Sequence, residues 1–153
     1  MKPVTVETVI AAPPAHVFAL FTDLRGAPGR VRGIQSLELL TDGPVGKGTR
    51  FRETRVMFGK ASSETMEILS FEPGRSYSVG ARSCGTRYLT TFDFEPAAGG
   101  TRVRMSFQGT PEALPARLLA PLFGFMTGAV RKAVEADMAD LKTACEGAPA
   151  AAR

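Results

Sequence analysis

The stretch from Pro115 to Glu146 constrains this chain most, because it carries an apolar stripe too long to leave uncovered. Leu119, Leu122, Phe123, Met126, Val130, Ala133, Val134 and Leu141 recur at the three- and four-residue spacings that set side chains on one face of a helix. Arg131, Lys132, Glu135 and Lys142 fall on the other face. Such a stripe needs a broad apolar partner, and the preceding chain offers a sheet. Residues 34–40, 49–58, 62–71, 75–82, 87–95 and 101–108 read as successive strands, separated by turn chemistry such as Asp42-Gly43-Pro44, Pro73-Gly74, Ser83-Cys84-Gly85 and Ala98-Gly99-Gly100. Connections this short imply an antiparallel meander. Tyr88, Phe92 and Phe94 alternate with Arg87 and Asp93, and Val103, Met105 and Phe107 with Arg102, Arg104 and Ser106, so one face is apolar and the other wet.

The first third adds an edge and a short helix. Val4 to Ile10 is a strand that ends at Ala11-Ala12-Pro13-Pro14; residues 15–23 then form a helix seated through Val17 and Phe21, followed by a turn-rich connector from Gly26 to Gly33. At the other end, Thr110-Pro111 reads as an N-cap and first helical residue. Pro115 and Pro121 each remove a helical hydrogen bond, so the terminal helix begins near one of them or kinks there. Gly147 and Pro149 form a stop signal, with residues 148–153 a loose tail.

With 153 residues and 44% hydrophobic content, one domain over residues 1–147 is expected. No apolar run is long enough to span a bilayer, and Met-Lys-Pro-Val-Thr lacks the pattern of a secretory signal, so a soluble, cytoplasmic protein without stable membrane insertion is expected, as a monomer or homodimer. Cys84 and Cys145 read as reduced thiols. His16, the one histidine, reads as mostly solvent-facing, which leaves no triad and no metal site; no cofactor motif is present either. The net charge of +4 raises nucleic acid as a partner, but the arginines are scattered rather than clustered and few aromatics accompany them, so no nucleic-acid partner is expected. Gly46-Lys47-Gly48 leads into a strand, not the helix N-terminus that a phosphate loop requires.

Chemistry concentrates in the strand from Phe51 to Met57. If Phe51 and Met57 point inward, a period of two sends Glu53 and Arg55 inward with them. They then orient the polar end of a ligand or supply a proton; alternatively they pair with each other or with another strand, or a bulge turns them out. Tyr77, Tyr88 and Thr90 are candidates to complete such a cluster, since a phenol in an apolar pocket can donate to a carbonyl as charge develops there. Asp137 falls within the apolar stripe of the terminal helix and needs a partner, an arginine or backbone N–H groups at the rim.

The whole order resembles the START-like, birch-pollen-allergen-type superfamily, and within it the SRPBCC group of polyketide cyclase/dehydrase and lipid-transport proteins. The residues that carry the resemblance are Ile10-Ala11-Ala12-Pro13-Pro14 with Val17-Phe18 and Thr22-Asp23-Leu24, the hairpin Gly46-Lys47-Gly48-Thr49-Arg50-Phe51, the turn Phe71-Glu72-Pro73, Gly100-Thr101, and Leu141-Lys142. It implies an α+β helix-grip fold: a curved seven-stranded antiparallel sheet around a long C-terminal helix, with two short helices after the first strand and a hydrophobic cavity between sheet and helix. Members bind lipids, sterols or polyketides, and some catalyse cyclisation or dehydration. Arg30 stands where similar proteins often carry a tryptophan, so no ligand stacking is implied on that side of the mouth.

The resulting expectation is a protein that binds, transports or sequesters a small hydrophobic ligand, a lipid or polyketide. Its lining would be Phe51, Met57, Tyr88, Phe92, Met105, Phe107, Phe123, Met126 and Val130, with Glu53 and Arg55 as polar anchors. Two alternatives stand beside it. One is a polyketide cyclase/dehydrase with Glu53, Arg55 and Tyr88 as catalytic residues; the other is an interaction module whose cavity is filled by side chains.

Overall fold

The structure, a computed structural model, is described here over residues 3–57, 59–121 and 127–151. Strand β1 (Val4–Ile10) leads into α1 (Pro14–Phe21), a 3-10 turn (Leu24–Gly26) and α2 (Ala27–Arg30). Six strands follow, β2 (Ile34–Leu39), β3 (Arg50–Met57), β4 (Lys60–Glu72), β5 (Ser76–Ser83), β6 (Thr86–Ala97) and β7 (Gly100–Pro111), and then α3 (Leu114–Leu119) and α4 (Thr127–Ala151). All neighbours are antiparallel in the order β1-β7-β6-β5-β4-β3-β2. The first two strands therefore lie at opposite edges, and the short helices between them cross from one edge to the other. The sheet curves around α4 in the helix-grip arrangement, and register slips at Ile34/Ser36 in β2 and Ile68/Ser70 in β4 are the bulges that help it bend.

Local chemistry accounts for most boundaries. Pro14 sits in the first turn of α1, where its missing N–H costs nothing, and Thr22 ends that helix by donating its hydroxyl to Phe18 O at 2.8 Å. At the β6–β7 turn Gly100 has φ 147°, and a Cβ there would lie 2.0 Å from Ile10 O. Only glycine lets this hairpin abut the end of β1. Thr101 beside it is fully buried and donates to Ala12 O at 2.7 Å, tying β7 to the chain entering α1.

The core lies between the concave face and α1 and α4. Phe18 makes edge contacts with Phe71, Tyr77 and Phe94 at 5.2, 5.8 and 5.3 Å, and Tyr77 stacks on Phe92 at 4.5 Å. Val134, Met138 and Cys145 of α4 are buried in the same cluster, with Val130 and Leu141 packed against it. A smaller cluster of Leu24, Phe51 and Ile68 lies toward β3.

Several expectations change. Thr110 and Pro111 end β7 rather than opening a helix, because Pro111 is still paired with Thr86; the helix starts beyond them, with Pro115 in its first turn. The interruption expected at the prolines is present: α3 stops at Leu119, since Pro121 lacks an N–H and its ring would clash with the carbonyl four residues back. Leu119 is not a covered member of the stripe but 45% exposed. Toward the other end, α4 passes Gly147 and Pro149 to Ala151, carried by the strong helix formers Ala148, Ala150 and Ala151. His16, finally, is half-buried rather than solvent-facing, with Nε2 enclosed and unpartnered among the described residues; α1 packs against both sheet and α4, leaving its open side to Ala15 and Ala19. No helix among the described residues is long and apolar enough to cross a membrane.

Candidate functional site

β3 runs without a bulge of its own past the β2 irregularity, so the period of two holds and Phe51, Glu53 and Arg55 all face the concavity. Phe51 is buried beneath Leu24. Beyond it, Arg55 lies between two carboxylates. Its Nε donates to Glu53 Oε1 at 2.5 Å, while Nη1 and Nη2 donate to Asp137 Oδ1 and Oδ2 at 3.1 and 2.6 Å. The bidentate pair joins β3 to α4 and supplies the partner that Asp137 requires. Gly33 passes directly over it: a Cβ there would lie 3.0 Å from Arg55 Nη1 and 3.5 Å from Asp137 Oδ1.

The side chains are 10%, 26% and 15% exposed for Glu53, Arg55 and Asp137, so their charges act through a medium less screening than water. Burial pulls the Arg55 guanidinium down, but the hydrogen bonds to Asp137 and the charges of Glu53 and Asp137 outweigh it and hold its pKa above the usual arginine value. Tyr77 is raised by burial first and by the charge of Glu53 second, so it remains a neutral phenol; its hydroxyl reaches Phe21 O at 3.5 Å. Two carboxylates against one guanidinium leave the cluster formally negative. Glu53 Oε2 has no hydrogen-bond partner among the described residues.

Tyr88 does not join this group. Its register partner is Ala81, which pairs with Met66, which pairs with Phe51, so three strand spacings, about 14 Å along the sheet, separate its strand from β3. It stacks on Phe107 instead, at 5.7 Å and 18°, next to Thr90, and all three are half-buried on the concave face. Phe92 and Met105 are buried in the main core, and Val130 packs against it. Met57 ends β3 opposite Lys60, and its side chain lies outside the described residues, as do Phe123 and Met126. Arg30 is occupied at the surface, donating to Asp23 Oδ2 at 2.7 Å.

Two carboxylates that hold α4 in place are absent from the sequence reading. Asp140 accepts from the backbone N–H of Arg32 at 2.9 Å and from its guanidinium, and Glu146 accepts from Ala11 N at 2.9 Å. The Arg32 backbone and side-chain hydrogen bonds lower the Asp140 pKa. The available signal for Asp140 is its i, i+3 spacing from Asp137; nothing local marks Glu146. Among the described residues no three His, Cys, Asp or Glu side chains are placed to hold a metal, and Arg55 fills the space between Glu53 and Asp137 where a cation would sit. Two open depressions of about 860 and 780 Å³ lie mainly over solvent-facing strand positions, the first around Arg102 and Arg104, the second around Leu69, Gly80 and Leu89, away from the cluster.

No curated protein matches the sequence. Among solved structures, TTHA0849 from Thermus thermophilus is 25% identical with a TM-score of 0.77, covering 96% of this chain and 99% of that one. Ara h 8.0201 is 21% identical with a TM-score of 0.75, over 94% and 97%. The di-domain ARO/CYC StfQ from the steffimycin biosynthetic pathway has a TM-score of 0.76 at 13% identity, over 97% of this chain and 52% of StfQ. A family-wide sequence profile, polyketide cyclase/dehydrase and lipid transport, matches residues 1–146. With that match spanning nearly the whole sequence and the fold in agreement, this chain belongs to the polyketide cyclase/dehydrase and lipid transport family.

Proposed function

We propose that the protein binds a small apolar molecule, a lipid or polyketide, on the concave face between the sheet and the terminal helix, at the end carrying Tyr88, Thr90 and Phe107. The observation that supports this is the uneven filling of that face. Tyr77, Phe92, Phe94, Val103 and Met105 are buried under α1 and α4, whereas Tyr88 and Phe107 stack on each other and stay half open. Apolar surface left uncovered on an inward face is surface available to a ligand.

The Glu53–Arg55–Asp137 cluster, three strands from Tyr88, sets the polar preference for the far end of a ligand long enough to span about 14 Å along the concave face. Among the described residues, the hydrogen bonds of Arg55 all go to carboxylates, and the spare acceptor is Glu53 Oε2. A ligand end that donates a hydrogen bond, a hydroxyl or phenol, suits this cluster, whereas a carboxylate meets a net negative charge. The cyclase/dehydrase reading is weaker, because Tyr88 is not convergent with Glu53 and Arg55; the interaction module is weaker because Tyr88 and Phe107 are not closed off.

Displacement of the apolar dye Nile red tests this. A hydroxylated aromatic polyketide should displace it at lower concentration than a fatty acid of similar size. Thr90→Arg, which sets a charge on the open half, should weaken displacement about tenfold or more while leaving the melting temperature near that of the wild type. Undiminished displacement by folded Thr90→Arg protein overturns the proposal.

A further inference from the structure

Helix α3 holds leucines out in solvent. Leu114 and Leu118 are 66% and 69% exposed, and Leu119 is 45% exposed. Their position is set by the chain on either side of them. Glu112 N and Ala113 N both donate to Gly85 O in the β5–β6 turn, at 2.8 and 3.0 Å. A Cβ on Gly85 would lie 2.6 Å from the Ala113 methyl and 3.4 Å from that of Ala116, so the alanine side of α3 is seated on the turn. At 100° per residue, Leu114 and Leu118 then share the opposite side, one turn apart.

The same corner carries unbalanced positive charge. Arg82 and Arg87 are direct register partners on the solvent face of the β5–β6 hairpin, and both turn to one carboxylate, Glu112, at 3.3 and 4.0 Å. Arg117, within α3, forms no ion pair among the described residues. Glu67, an acid on a neighbouring strand of that face, is already engaged by Arg50 at 3.9 Å. Among the described residues Arg82 and Arg87 thus share one acid and Arg117 pairs with none, beside three exposed leucines.

We propose that this corner docks the protein on the surface of an anionic lipid bilayer, with Leu114 and Leu118 entering the headgroup–acyl boundary and Arg82, Arg87 and Arg117 lying among the phosphates. Apolar side chains flanked by excess cationic charge are the combination an anionic interface retains. A second copy of this chain fits less well, because a twofold contact would set the arginine cluster against itself. Attachment is peripheral. The corner also adjoins the end of the concave face proposed to bind ligand, since Tyr88 pairs with Gly109 and Thr86 with Pro111 on the strand that leads into α3.

Vesicle flotation provides the test. The wild-type protein should float with vesicles of phosphatidylcholine plus phosphatidylglycerol, partition about tenfold less onto phosphatidylcholine alone, and release as salt rises. The Leu114→Glu/Leu118→Glu double variant and Arg117→Glu should each lose flotation with melting temperatures unchanged, as these side chains are exposed. Failure of the wild type to float with anionic vesicles overturns the proposal, as does undiminished flotation of the leucine variant. So does a wild-type dimer in sedimentation that the leucine variant dissociates, which would assign the surface to a second copy. Nile red displacement in vesicle-free buffer reports the ligand site separately, so the two proposals fail independently.

Discussion

Arg55 is held by two carboxylates at once, and that decides what its loss would do. Arg55→Met leaves Glu53 and Asp137 largely enclosed with no cation between them, and should cost about 3 kcal/mol of stability, at the low end for breaking an enclosed pair because all three side chains keep some solvent contact. Replacing all three residues together with apolar chains of similar volume should cost less than the single change, since no charge is then stranded. Urea unfolding of the single and triple variants checks this. A triple variant less stable than Arg55→Met would mean that the cluster stabilises the fold outright rather than merely balancing itself.

At the scale of the element, α4 is fixed by a row of polar ties beside its apolar stripe. Asp137 reaches β3, Asp140 the segment before β2, and Glu146 the segment after β1. Between the last two, Cys145 is fully buried; burial first and the charge of Glu146 push its thiol up to about 11, while Arg30 opposes. The folded state therefore keeps a proton that the unfolded chain releases at lower pH. The stability this contributes is intact below the ordinary thiol value of about 9 and is lost as pH rises towards about 11. In urea titrations across that range the wild type should lose a component that Cys145→Ala lacks. At pH 8 a thiol reagent should modify exposed Cys84 and leave Cys145 untouched until the protein unfolds.

At the scale of the molecule, the open sheet is closed by the crossing between its two edges and by α4 laid along the concavity. The described ties of α4 to the rest of the fold all come at or before Glu146. We therefore expect truncation after Gly147 to change stability by less than about 0.5 kcal/mol, although α4 continues to Ala151. A loss of several degrees in melting temperature on that truncation would show that the last turn is anchored.

The strands of the meander, the apolar face and the terminal helix were legible in the sequence, because each rests on spacing and turn chemistry that act over a few residues: Val103, Met105 and Phe107 alternate whatever lies across from them. The inward placement of Glu53 and Arg55 was also legible as a period of two. Their consequence was not, because whether an inward Arg55 meets a ligand or Asp137, 82 residues away, depends on how α4 crosses the sheet. The same holds for Tyr88, whose distance from β3 is a count of intervening strands, and for Leu119, whose exposure follows from Pro121 ending α3 and from Gly85 seating its alanines. Sequence periodicity by itself determined which side chains share a face. Only the tertiary structure decided which faces meet, because that depends on strand order and helix crossing, and those bring together residues that no local spacing relates.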